Sequence, residues 1–151
     1  MTTPFVTAGA GFLLAVLWFD LMFDVQVLPH RDGEVPAAVL DSIAAYYQRV
    51  TTAGRPMNRL VAFAMLATIG AIVVQIAQGA APRWAAWLSL ALITCAVGLA
   101  AVRTVSSAQR LGSQRDPLDV QSRIARTVLQ DHVVCATLVV ALLVIQLGFA
   151  S

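Results

Sequence analysis

The sequence predicts an all-α polytopic membrane protein: an antiparallel four-transmembrane-helix bundle with cytoplasmic helical extensions and both termini outside. Three observations predict it. The 151-residue chain is 59% hydrophobic and only 12% charged, where ordinary soluble domains carry about 25% charged residues. Its mean hydropathy is +0.78, and a chain with that much apolar material to bury is not disordered. Residues 1–19, 60–82, 84–102 and 133–151 carry no charged side chain. Each of these stretches is close to the ~20 residues a helix needs to cross ~30 Å of hydrocarbon. Lipid offers no partner for backbone polar groups, so such stretches are helices rather than open strands. Residues 1–151 make a single domain on the length prior.

The first span covers about 5–28. It has no basic leading region and no convincing cleavage site, so it reads as a retained helix rather than a signal peptide. An amphipathic helix follows over about 35–52. Val39, Ile43, Tyr47 and Val50 recur at helical spacing there, and Pro36 suits a first helical turn. It lies on the membrane or packs under the bundle. The second span covers 60–78 and the third 84–103, the third continuing to Leu111 before a break at Gly112. Asp116-Pro117 is a helix-start signal. No Gly or Pro stands from 118 to 146, so one helix runs 117–149. At ~1.5 Å per residue it is ~50 Å long, and its last part, 129–149, is the fourth span.

Arginine placement orients the bundle. Arg31, Arg49, Arg55 and Arg59 lie between spans one and two, and Arg103, Arg110, Arg115, Arg123 and Arg126 between spans three and four. The middle loop holds only Arg83. Nine of the ten arginines therefore share one side, which the positive-inside rule makes cytoplasmic. Trp84 and Trp87 then sit in the outer aromatic belt. All basic residues are Arg and all acids but Glu34 are Asp. Both are favoured by GC-rich codons, so a bacterial source and the inner (cytoplasmic) membrane are expected. A net charge of +2 is too small for nucleic acid binding. Cys95 and Cys135 have neither CxxC nor zinc-ligand spacing. Thr7/Gly11/Ala15, Ala67/Ala71 and Ala85/Ser89 are small-residue runs that permit close helix approach, with dimerisation a secondary use. Trp18, Phe12, Phe19 and Phe23 read as core, or as the wall of a lipophilic pocket.

The informative residues are polar ones inside the spans. Asp20 and Asp24, at i and i+4, share one helix face. An ionised Asp near the bilayer centre costs ~2.5–3.5 kcal/mol on insertion scales. Asp20 lies about 12 Å along the helix from its Leu28 end, too deep for so short a side chain to reach water. It should face protein, or be protonated. Asp131 and His132 open span four, Asn58 and Arg59 open span two, and Arg103 closes span three, all at one end. Gln75 and Gln146 are the main polar exceptions in the other half. The bland alternative is a set of interfacial ion pairs that fix packing. The sharper reading is a site in the inner leaflet built on Asp20, Asp24 and His132, with Arg59 and Arg103 balancing charge or binding an anionic head group. Asp20, Asp24 and His132 could ligate a transition metal such as Fe, Mn, Cu or Zn, although no HExxH or ExxH spacing is present. They could also relay protons. Asp20 and His132 could instead do general acid/base work on a lipophilic substrate.

The layout resembles the anthrone-oxygenase-like family of small four-span membrane proteins. The resemblance rests on organisation. A first span is followed by the helical segment 35–56 and then two closely joined spans, the latter opening at Trp84 and Trp87. The polar stretch from Arg103-Thr104 leads to a fourth span opening with Gln130-Asp131-His132. It implies oxidation of a hydrophobic, polyketide-like substrate, with His132 as the candidate residue carried over. Three function classes follow from the residues themselves. The first is a membrane protein whose polar site binds a metal or a lipophilic small molecule, with oxidoreductive chemistry in view. The second is an accessory subunit of a larger membrane complex. The third is a small proton- or ion-coupled transporter, which four spans can form only as a homodimer or larger oligomer.

Overall fold

A computed structural model of the chain describes residues 2–150, save the side chains of Ala53 and Arg55. The place of the Arg55 side chain among the nine arginines therefore lies outside the described residues. All regular structure among the described residues is helical. Helix α1 spans Thr3–Asp24, with Pro4 in the first turn where its missing N–H costs nothing. It tightens into a 3-10 turn over Val25–His30, where Pro29 supplies no N–H. Helix α2 is Ala37–Gln48 and runs into a π turn at Arg49–Ala53. Helix α3 is Arg55–Ala77. Helix α4, Arg83–Leu99, passes through a second π turn at Ala100–Thr104 into α5, Val105–Ser113. Helix α6 runs unbroken over Leu118–Phe149, as the absence of Gly and Pro predicts.

Four helical segments are long and apolar enough to cross a membrane: Thr3–His30, Pro56–Ala77, Arg83–Ser113 and Leu118–Phe149. They form a closed ring in which α1 packs on α6 and α3, and α4 on α6 and α3. Both ends of the described chain meet, since the Thr3 hydroxyl donates to the Ala150 carbonyl at 2.7 Å. The bundle core is built from Val6, Ala10 and Leu13 of α1, Ile72 of α3, Ile93 and Ala96 of α4, and Cys135, Val139 and Leu142 of α6. Between apolar helices in lipid, close packing rather than water exclusion holds such a core.

The far half of the bundle, toward the termini, is sealed by amides. Gln75 and Gln146 exchange reciprocal hydrogen bonds at 3.2 and 3.1 Å. Gln146 also donates to Ser89 at 2.9 Å, and Gln75 to Thr3 at 3.2 Å. One network thereby ties α1, α3, α4 and α6, and both amides are fully buried. At the arginine-rich end a second apolar cluster forms. Leu40, Ile43 and Tyr47 of α2 pack with Ala108 and Leu111 of α5 and with Ala125 and Val128 of α6. Helix α2 thus packs under the bundle instead of lying along the membrane. The stripe expected at Val39, Ile43, Tyr47 and Val50 is rotated slightly, so that Leu40 and Ala44 are buried while Val39 and Val50 are only partly so.

Several sequence expectations change. Gly112 does not break the helix: a Cβ there would lie 2.9 Å from the Gln48 backbone nitrogen, so the glycine lets α5 touch α2. The chain turns instead at Gln114, in the left-handed region with φ 51°. Trp18 is exposed on the outer surface of α1 rather than in the core, and Phe19, also exposed, borders a cavity. Phe12 packs at the core edge and Phe23 on Tyr46. The Thr7/Gly11/Ala15 run is not the α1 contact either. Gly11 has open space beside it, whereas a Cβ on Gly9 would overlap the Thr68 hydroxyl of α3. Cys95 is exposed and Cys135 buried, and both are free thiols.

Candidate functional site: a carboxylate–imidazole wall in a membrane cavity

Asp20 and Asp24 stand one turn apart on α1, facing α2 and α6. Asp24 is buried. Its carboxylate accepts from the Tyr47 hydroxyl at 2.6 Å and from His132 Nδ1 at 2.6 Å. An ionised carboxylate only accepts, so Nδ1 carries the proton of that bond and Nε2 points the other way. The Tyr47 oxygen lies 3.4 Å from the same Nδ1. Asp20 Oδ1 accepts from the Tyr46 hydroxyl at 2.7 Å. Its other oxygen, Oδ2, stands 3.8 Å from His132 Nε2, beyond hydrogen-bonding distance.

Local structure positions the tyrosines. Helix α2 starts where Pro36 ends an extended turn, which carries its apolar stripe beneath α5 and α6. Tyr47 belongs to that stripe, and its buried hydroxyl needs a partner, which Asp24 supplies. The Tyr46 ring stacks on Phe23 at 4.1 Å, and its edge meets Tyr47 at 5.2 Å. Burial, followed by the negative charges of Asp20 and Asp24, pushes both phenols above the usual tyrosine range. They remain donors throughout the physiological range.

Asp131 serves a different purpose. It is fully buried on another face of α6, accepting from Arg103 Nε at 2.9 Å, from Arg103 Nη2 and from the Thr104 hydroxyl at 3.3 Å. This is the interfacial ion pair of the bland reading. Arg103 is therefore committed to Asp131 and does not balance the Asp20–Asp24–His132 group. Arg59 is exposed on α3. Neither arginine lines the cavity described next, so the expectation that they bind a substrate head group has no support in the geometry.

Asp20, Tyr46, Tyr47 and His132 form one wall of a cavity of about 740 Å³ in the arginine-rich half. Leu13 and Leu17 of α1, Val61 and Met65 of α3, Ile93 and Val97 of α4, and Val139 of α6 supply apolar walls. Both π turns border it, through Val50 and Thr51 on one side and Ala100 and Thr104 on the other. Such bulges concentrate at functional sites because they re-aim side chains within a helix. The cavity is open on its α3 side. Over residues 56–67, α3 has no buried side chain, whereas Thr68, Ile72 and Gln75 beyond it are buried. Phe19 and Met57, 60% and 54% exposed, form the rim.

The three expected metal ligands do meet, but not around one point. Asp24 is committed to Nδ1, which leaves Asp20 and Nε2, two ligands where zinc-type sites use three or four. Among the described residues no group of three His, Cys, Asp or Glu side chains is disposed to hold a metal ion. Sequence reasoning missed Tyr46 and Tyr47 as members of the wall. A signal existed: a tyrosine in an apolar stripe must bring its hydroxyl to an acceptor, and Asp20 and Asp24 are the deep acceptors nearby.

Comparison with known proteins corrects two expectations. The family model described as ER membrane protein SH3, the SHR3 chaperone family, matches residues 1–150. No curated protein and no solved structure matches the chain. The match overturns the resemblance to anthrone-oxygenase-like proteins, which rested on span order and on a histidine opening the fourth span, features any four-span bundle can share. It equally overturns the bacterial inner membrane as location, which rested on codon-driven Arg and Asp usage; the family is one of ER membrane proteins. The multi-pass architecture is unaffected. The chain belongs to the SHR3 chaperone family of ER membrane proteins.

Proposed function

We propose that this protein is a membrane-embedded chaperone of the endoplasmic reticulum that shelters a segment of another membrane protein in its laterally open cavity. The observation that carries this reading is the half of α3 beside that cavity that has no buried side chain. In a bundle built only to be stable, residues 56–67 would be buried as deeply as Thr68, Ile72 and Gln75. Instead an apolar space of about 740 Å³ stands open to the bilayer through an apolar rim. A segment lying there exchanges lipid contacts for protein contacts of similar polarity, so binding is weak and reversible, as a chaperone requires. This reading belongs with the accessory-protein class and calls for no oxidoreductive chemistry.

A photoreactive residue at Val61, on the cavity wall, tests it. Truncated nascent chains of a polytopic membrane protein would be inserted into ER microsomes carrying the full-length protein. Crosslinks at position 61 that vanish once the client is complete are expected. The same probe at Val144, on the outer face of α6, should give none. Crosslinks to lipid alone at both positions would overturn the proposal.

A further inference from the structure

We infer that the cavity selects membrane segments carrying a basic residue. The inference rests on the sheltering role proposed above and names the client chemistry. Asp20 and His132 line the cavity, and Asp24 stands behind them on the imidazole. Two carboxyl groups thus meet a single imidazole, and acidic groups outnumber basic ones at this wall. The chain has no lysine, no arginine lines the cavity among the described side chains, and Arg103 is held by Asp131.

The geometry localises the deficit. Asp24 is satisfied by Tyr47 and His132 and lies behind the wall. Asp20 uses one oxygen on Tyr46. Asp20 and His132 both line the cavity, with Oδ2 and Nε2 3.8 Å apart, beyond hydrogen-bonding distance. With Nδ1 protonated toward Asp24, Nε2 of the neutral ring is an acceptor, so two acceptors converge on one small volume. A lysine ammonium or arginine guanidinium brings several donors and a positive charge. A carboxylate would face Asp20 and be repelled, and an alkyl group would leave both acceptors unpaired in a low-dielectric space. A basic residue stranded in an unassembled membrane helix costs ~2.5–3.5 kcal/mol at the bilayer centre, so such helices are the ones that need a transient host.

The test uses the full-length protein with the Val61 photoprobe in phosphatidylcholine vesicles. Single-span leucine helices carry Lys, Leu or Glu at one position, set to the depth of Asp20. The lysine helix should crosslink about tenfold more than the other two, the ratio that ~1.4 kcal/mol gives. That preference should vanish in Asp20→Asn and persist in Asp20→Glu, with thermal melting showing that both variants fold. The wild-type comparison alone decides the matter if a variant does not fold. Equal capture of all three helices at position 61 would overturn the basic-residue inference and leave the sheltering role standing. No capture of any helix would remove both. Asp20-dependent binding of tetradecylamine without capture of the lysine helix would assign the wall to a small cationic amphiphile and overturn the client inference.

Discussion

At the residue scale, the wall depends on the buried Tyr47 hydroxyl. Tyr47 donates to Asp24, which is buried and otherwise held only by His132. Tyr47→Phe keeps the ring in its stripe and leaves a buried carboxylate short of a donor, at a cost of ~1–3 kcal/mol. Thermal melting in detergent should show that loss. Tyr46→Phe should show a smaller one, because Asp20 is less buried than Asp24. The same phenols set an alkaline limit. Their folded values are raised above the ordinary 10.0, so the folded state holds these protons after the unfolded chain has released them. Stability is then fully present below pH 10 and declines above it. A melting-temperature profile in alkaline buffers should bend near pH 10, and the bend should weaken in the Tyr47→Phe variant. A profile that bends equally in both would show that another group carries the effect. The residues of this site were half legible in the sequence. Asp20 and Asp24 announced themselves by depth, and His132 by the end of the bundle it shares with them. Arg103 was misassigned because depth alone does not say which face of α6 Asp131 occupies; a rotation of one residue separates the ion pair from the imidazole wall.

At the element scale, two glycines and two glutamines decide how the helices meet. Gly9→Ala would overlap the Thr68 hydroxyl, and Gly112→Ala would press on the backbone of Tyr47 and Gln48. Overpacking of this kind costs ~1–3 kcal/mol. Removing the obstacle distinguishes the two sites. Gly9→Ala combined with Thr68→Ala should regain most of the lost melting temperature, since only a side chain stood in the way. No side-chain change should rescue Gly112→Ala, where the obstacle is backbone. Gly11→Ala, with open space beside it, should melt like the wild type. The buried amides follow a different rule. Gln146→Leu takes the donor from Ser89 and leaves Gln75 with only its bond to Thr3, whereas Gln75→Leu with Gln146→Leu removes both halves of the pair. Interhelical hydrogen bonds in membranes are worth ~1–2 kcal/mol at most, so the double variant should be no less stable than the single one in a melting assay. The four long helices were plain in the sequence because charge-free stretches of membrane length have one structural solution. The helix contacts were not, because the small-residue spacing runs through Thr7, Gly11 and Ala15, whereas the close approach is made by Gly9 alone, between Phe5 and Leu13 at i−4 and i+4. Gln75 and Gln146 stood out as polar exceptions, yet their pairing depends on helix rotation, which no local pattern encodes.

At the scale of the whole molecule, the bundle is closed at one end and open at the other. Toward the termini, four helices share an amide network and a packed core. Toward the arginine-rich end, α2 and α5 floor the bundle while α3 buries no side chain over residues 56–67, where only Val61, Ala64 and Met65 are partly buried. Local stability should follow this division, since a segment with few buried contacts opens without unfolding the rest. Hydrogen exchange on the protein in lipid nanodiscs should therefore be faster over residues 56–67 than over 68–77 of the same helix. The two halves share one continuous run of backbone hydrogen bonds, so a difference between them reports packing rather than secondary structure. Occupancy of the cavity supplies the contacts the first half lacks, and a bound client helix should slow exchange over 56–67 while leaving 68–77 unchanged. Uniform exchange along α3, insensitive to the client, would mean that the open side is closed by lipid alone and that the seam between α3 and its neighbours has no part in binding.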